Sequence, residues 1–237
     1  MKIVSSEICP FVQRVTALLE AKNLPYEIEY IDLSNKPDWF LEMSPLGQVP
    51  ILITDDDRAL HESDAIVEYI EETVGKPLFP ADPVEKAHER AWSYLATKNY
   101  LVQCSTQRSP DQVTFAERTA RLNKAFATAE KRLGDGLFFR GDKVGMVDIA
   151  WLPLLHRAAI VEQRADYDFL AEFPKVKAWQ QNVLATGLPE KSVAEDFVDK
   201  FSNFYLSDET YLGHPEQGQS RQACCGPTER SVAGACC

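Results

Sequence analysis

Apolar positions change period early in the chain. Lys2-Ile3-Val4 is short and β-prone, whereas Val12, Val15, Leu18 and Leu19 recur on one helical face, so the chain turns from strand to helix near Cys9. Leu24-Pro25 follows, and between Tyr26 and Asp32 the apolar Ile28 and Tyr30 alternate with acidic residues, which predicts a second strand. Strand, helix and strand in that order form a βαβ unit with parallel strands and a right-handed crossover. Pro37 is placed to start a short helix through Leu41. Gly47-Gln48-Val49-Pro50 then leads into the apolar strand Ile51-Leu52-Ile53, and Asp55-Asp56-Asp57-Arg58 reads as a hairpin turn before Ala59-Leu60-His61. Behind Glu62-Ser63, Ala65, Ile66, Tyr69 and Ile70 return to helical spacing.

A βαβ unit followed by ββα is a thioredoxin-like arrangement, an α/β domain with a mixed four-stranded sheet, predicted over residues 1–75. Residues 76–83 are Pro-rich and read as a domain linker. From 84 to 206 the pattern is all-helical: a helix pair over Glu85–Arg108 and Thr114–Leu133, a third helix over Ile149–Val161, a fourth over Lys175–Ala185 and a fifth over Glu190–Tyr205. Asp148 stands where an acidic side chain three residues into a helix bonds back to the cap, a structural role. Apolar residues thin out after Ser207, which predicts an extended or disordered tail over 207–237.

Composition narrows the function. The 237 residues are 45% hydrophobic, enough for a sizeable core. A formal net charge of −11 argues against nucleic acid or an anionic membrane as a partner. No signal-like segment opens the chain and no apolar run approaches a membrane span, so a cytoplasmic location is expected. The four histidines make no metal-binding spacing and no Gly-rich phosphate loop is present, so neither metal nor nucleotide cofactor is expected. Trp92, Tyr94, Tyr100 and Phe115 could line a pocket, but aromatics at helical spacing are more often core.

Cys9 is the candidate reactive centre. Pro10 suits the first helical position, which leaves Cys9 at the N-cap, where unpaired backbone N–H groups and the helix dipole favour an anion. Its thiol is therefore expected to ionise easily. In a C-x-x-C motif a second thiol would resolve a mixed disulfide, but that position is Val12. The resolving thiol must come from outside, and glutathione is the abundant small one in a reducing cell.

These residues carry a resemblance. Cys9-Pro10-Phe11-Val12-Gln13-Arg14 resembles the active-site segment of cysteine-type cytosolic glutathione transferases, the omega and plant lambda classes. Asn35-Lys36-Pro37-Asp38-Trp39-Phe40 is also omega-like. Gln48-Val49-Pro50 and Glu62-Ser63 are similar to the family's glutathione-binding signature, and Val147-Asp148-Ile149-Ala150 to its buried folding motif. The resemblance runs from residue 1 to about 205. It implies that Cys9 forms a mixed disulfide with glutathione, that Val49 pairs its backbone with the glutathione cysteinyl unit, and that Pro50 is cis. It implies further that Glu62 and Ser63 hold the γ-glutamyl end, that Lys36 and Phe11 contact the rest of the tripeptide, and that Arg157 is a pocket arginine on the acceptor side. Glu62-Ser63 also suits a plain helix cap, and Lys36 an exposed loop charge.

The implied activity is glutathione-dependent thiol transfer or reduction, with a small or glutathionylated acceptor and, in the omega class, dehydroascorbate or pentavalent arsenicals among the substrates. Omega-like members are typically homodimers and lambda-like ones can be monomers. A different class of function, a non-catalytic adaptor of the same fold, is also found in the family. The pairs Cys224-Cys225 and Cys236-Cys237 lie outside the family pattern. They suit a redox-exposed tail, a soft-metal or metalloid site, or lipid attachment.

Overall fold

The computed structural model describes residues 1–214. Four strands, β1 (Lys2–Ser5), β2 (Glu27–Tyr30), β3 (Ile51–Ile53) and β4 (Ala59–His61), form one sheet in the order β2-β1-β3-β4. β1 pairs parallel with β2, and β3 runs antiparallel to both β1 and β4. Three helices belong to this unit: α1 (Pro10–Ala21), α2 (Asp38–Met43) and α3 (Ser63–Thr73). The unit is thioredoxin-like. Ile3, Val4, Ile51 and Leu52 are fully buried and meet Val15, Leu18 and Leu19 of α1 and Ile66, Val67 and Ile70 of α3 in one core.

The segment between α3 and the next helix is bound from the sheet unit. Glu71 Oε2 accepts the N–H groups of Leu78 and Phe79, and Lys22 Nζ donates to the carbonyls of Val74 and Lys76. Lys22 and Glu71 themselves form an ion pair at 2.8 Å, with side chains 2% and 4% exposed. A buried pair of this kind persists because each partner keeps further hydrogen bonds.

The remaining elements are helical: α4 (Pro83–Gln107), α5 (Gln112–Arg132), α6 (Met146–Ala165), α7 (Pro174–Leu184), α8 (Leu188–Lys191) and α9 (Phe197–Tyr205). Caps explain where the long helices start. Asp82 accepts from the N–H groups of Val84 and Glu85, and Asp111 from that of Thr114. At the start of α6, Asp148 accepts from the N–H groups of Gly145 and Phe139 and from Trp179 Nε1, at 2.7, 2.9 and 2.7 Å. One carboxylate thus joins a helix start, the preceding loop and α7. Tyr100 and Phe115 are buried: the Tyr100 hydroxyl donates to Ala150 O, and Phe115 stacks among Tyr167, Phe169 and Tyr211. Both are core, as their spacing suggests.

Two expectations are corrected. The predicted helix Glu190–Tyr205 is two helices with a bend between them, because the carbonyl of Ser192 accepts from Thr16 Oγ1 at 2.6 Å. The chain also stays ordered past Ser207. Thr210 and Leu212 are buried, Tyr211 N–H donates to Ser109 O at 2.8 Å, and Arg108 holds both Phe204 O and Glu209. The four tail cysteines lie outside the described residues.

Candidate active site

The sheet register decides which loops meet. Val4 of β1 lies opposite Ile51, the first residue of β3, and Ile51 lies opposite His61, the last residue of β4. Ser5, which ends β1, pairs with Tyr30, which ends β2. The segments carrying Cys9 and Phe11, Lys36, Val49-Pro50 and Glu62-Ser63 therefore leave or enter the same end of the sheet. α1 and α3 both begin there, so two positive helix ends lie at one edge.

Cys9 is the N-cap of α1, with φ −74° and ψ 124° and Pro10 following. It is buried, 3% exposed, and borders a narrow crevice walled by Ser5, Ser6, Glu7, Tyr30 and Phe197. Val12, one turn on, is also buried and carries no thiol. Phe11 is half-buried and meets the edge of Tyr100 at 5.0 Å between ring centroids. Val49 is 4% exposed and the Val49-Pro50 peptide bond is cis. The loop before it is fixed by Ser44, whose hydroxyl accepts from Gln48 N–H and donates to Gln48 O, both at 2.9 Å.

Lys36 is half-buried rather than exposed. It lies over Gly47, where a Cβ would stand 3.3 Å from Nζ, and where φ of +61° already favours glycine. Glu62 is exposed and sits at φ 67°, ψ 115°, a backbone region unfavourable to a residue with a Cβ. Its side chain makes no cap bond to α3. Ser63 begins α3 and is 6% exposed. A buried hydroxyl and an exposed carboxylate at a helix start can together receive a group carrying both an α-carboxylate and an α-ammonium.

Arg157 departs most from expectation. It is fully buried on α6 and does not face an open pocket. Its guanidinium donates to Gln13 Oε1, to Pro153 O at 3.1 Å and to Ile8 O at 3.1 Å, and it lies over the Phe197 ring. The residue that was expected at the acceptor side instead grips the loop immediately before Cys9.

Apart from Tyr100, several neighbours were given no role of their own from the sequence. Gln13 Nε2 donates to His156 Nδ1 at 2.8 Å, so the neutral His156 ring carries its proton on Nε2. Burial, with a smaller contribution from Arg157, pushes the His156 pKa down to about 3. Arg14, 2% exposed, pairs with Asp64 of α3, and Lys200 of α9 reaches Glu7, two residues before Cys9. Burial raises the Tyr100 hydroxyl above its usual range. A signal existed for part of this group: His156 and Arg157 are the sole ionisable residues in the apolar run Ile149–Val161. Among the described residues no cluster of His, Cys, Asp or Glu suits a metal ion, and no helix is long and apolar enough to cross a membrane.

Comparison with known proteins agrees with this architecture. The family model for the glutathione S-transferase N-terminal domain matches residues 8–73, and that for the C-terminal domain matches residues 112–181. Glutathione S-transferase omega-1 of Mus musculus is 33% identical over 218 residues, covering 88% of this chain and 87% of its own. The chloroplastic glutathione S-transferase DHAR3 of Arabidopsis thaliana is 31% identical over 179 residues, covering 75% of this chain and 66% of its own. Among solved structures, glutathione transferase Omega 3C of Trametes versicolor shares the fold with a TM-score of 0.71 at 23% identity, covering 82% of this chain and 89% of its own. Rice GST1, solved in complex with glutathione, superposes with a TM-score of 0.74 at 23% identity, over 85% and 96% of the two chains. With both halves matched and a third of the aligned residues identical to an omega-class relative over 88% of the chain, the chain belongs to the glutathione S-transferase family.

Proposed function

We propose that the protein is a glutathione-dependent thiol transferase acting through Cys9. The observation that carries this reading is a cysteine at the N-cap of α1 with Val12, not a second thiol, one turn further on. A thiol so placed is a nucleophile, and the position where a C-x-x-C motif carries its resolving thiol is Val12. Relatives named as omega-class transferases and as DHAR proteins support the cysteine-type chemistry.

In this mechanism the Cys9 thiolate attacks the glutathionyl sulfur of a mixed disulfide, RS–SG. The acceptor leaves as RS⁻, which takes up a proton, and Cys9–S–SG remains. A glutathione thiolate attacks the enzyme disulfide, releasing oxidised glutathione and regenerating the Cys9 thiolate. Ser63 and the N–H groups that open α3 receive the γ-glutamyl carboxylate, and Glu62 its ammonium. The Val49 backbone pairs with the cysteinyl unit beside Pro50, while Lys36 and Phe11 hold the glycyl end and the body of the tripeptide. Dehydroascorbate and pentavalent arsenicals are acceptor candidates of the same two-electron class.

The test is reduction of the mixed disulfide of glutathione and 2-hydroxyethanethiol by the full chain, by Cys9→Ser and by a chain ending at His214. The expected result is turnover that falls at least a hundredfold in Cys9→Ser and is retained in the shortened chain. Absence of turnover in the full chain would overturn the reading. Loss in the shortened chain alone would assign the resolving thiol to the tail.

A further inference from the structure

Arg157 presents an imbalance of charge. It is fully buried, and its hydrogen bonds go to three neutral acceptors: Gln13 Oε1, Pro153 O and Ile8 O. Among the described residues no carboxylate lies within ion-pair distance of it, whereas Arg14, the other buried arginine beside Cys9, has Asp64. A buried guanidinium without an anion is costly unless something nearby supplies the charge. The Nη2 that donates to Ile8 O touches the peptide group leading into Cys9, and bond lengths together with the planar peptide geometry then keep it within about 9 Å of Cys9 Sγ.

We infer that Arg157 is the electrostatic counter-ion of the Cys9 thiolate, a positioning residue that acts across the seam between the helical half and the sheet unit. The inference rests on the proposed role of Cys9 and deepens it. The other charged or titratable groups of this seam are paired with carboxylates or cations of their own, or stay neutral. On α1, Arg14 is neutralised by Asp64 of α3; in the preceding loop, Glu7 is paired with Lys200 of α9, which Asp196 also holds. From β2 and α4, Tyr30 and Tyr100 have hydroxyl pKa values raised by burial, and both stay neutral. On α6, His156 is neutral because burial lowers its pKa to about 3. Arg157 is the remaining cation of this group without a paired carboxylate.

The chemistry gives the pair a direction. When Cys9–S–SG forms, sulfur loses its negative charge and Arg157 loses its compensation. When a glutathione thiolate attacks the glutathionyl sulfur, the S–S bond breaks, its electron pair returns to Cys9 Sγ, and the new thiolate forms beside the guanidinium. Arg157 therefore makes Cys9 a better leaving group and favours the resolving half of the cycle.

The experiment is the pH dependence of Cys9 alkylation by iodoacetamide in the full chain carrying Cys224, Cys225, Cys236 and Cys237 as serine, so that Cys9 and Cys104 are the thiols that remain. It needs no glutathione turnover, so its failure is separable from failure of the proposed function. Arg157→Met should raise the alkylation midpoint by about one to two pH units, as a unit charge at this range in a partly buried setting implies. Arg157→Lys, which keeps the charge, should stay within about half a unit of the parent. Gln13→Glu is nearly isosteric and places a carboxylate on the same guanidinium. It should also raise the midpoint, and trapped Cys9–S–SG should accumulate in both shifted variants as seen by intact mass. A midpoint unchanged in folded Gln13→Glu, or one shifted as far in Arg157→Lys as in Arg157→Met, would overturn the inference and reduce Arg157 to packing.

Discussion

Glu62 shows how a single residue can be held against its own backbone preference. Its φ of 67° with ψ of 115° suits glycine, yet the position carries a long, exposed carboxylate without a cap bond. Such strain persists where the side chain has work elsewhere, here the proposed grip on the γ-glutamyl ammonium. Glu62→Gly should therefore raise stability by about 1 kcal/mol and raise the KM for glutathione roughly tenfold, with a smaller change in kcat. Thermal unfolding and steady-state kinetics on one preparation check both halves. At this scale the sequence was informative about types and uninformative about direction. Cys9, Val49-Pro50 and Glu62-Ser63 form a readable signature because each depends on its immediate neighbours along the chain. Arg157 was found but misplaced, since adjacency to His156 says nothing of which way a helical side chain faces. Gln13 was missed because its partners, His156 and Ser192, are 143 and 179 residues away.

Elements followed periodicity where burial lies on one side. The four strands and helices α1 to α7 fall where apolar spacing, prolines and turn residues place them, with ends displaced by a residue or a few, because caps such as Asp82 and Asp111 start helices earlier than their apolar faces do. The region over 190–205 failed for a nonlocal reason. Its residues keep helical spacing, but Ser192 Oγ returns to Pro189 O and the Ser192 carbonyl is taken by Thr16 of α1. α8 is thereby fastened to the sheet unit, and helix resumes only at Phe197 as α9. Thr16→Val keeps the shape of the side chain and removes that donor. It should destabilise the protein by about 1–3 kcal/mol, as expected for a buried carbonyl left without its hydrogen bond, measured by denaturant unfolding. A change much below that range would mean that the bend is held by packing instead.

For the whole molecule, the seam between sheet unit and helices is polar as well as apolar, and its protonation state matters. His156 is neutral there, ring-stacked on Phe197 and accepting from Gln13, with its pKa pushed by burial from 6.5 to about 3. Between those values the unfolded chain holds a proton on this residue that the folded chain does not. Its contribution is complete above pH 6.5 and is lost as pH falls through the window. Going from pH 7 to pH 5, the parent should lose about 2 kcal/mol more stability than His156→Gln, measured by denaturant unfolding at the two pH values. Equal losses would show that the His156 ring is not the group responsible.

The contact of Arg157 with Ile8 O and of Lys200 with Glu7 has one more consequence. The loop that presents the thiol belongs to the first half of the chain but is held in shape by the second. Thiol reactivity at Cys9 is thus a local gauge of how well the two halves are seated on each other. A solvent, a bound partner or a distant substitution that loosens the seam should register first as a slower-reacting sulfur, before circular dichroism or calorimetry detects any loss of fold.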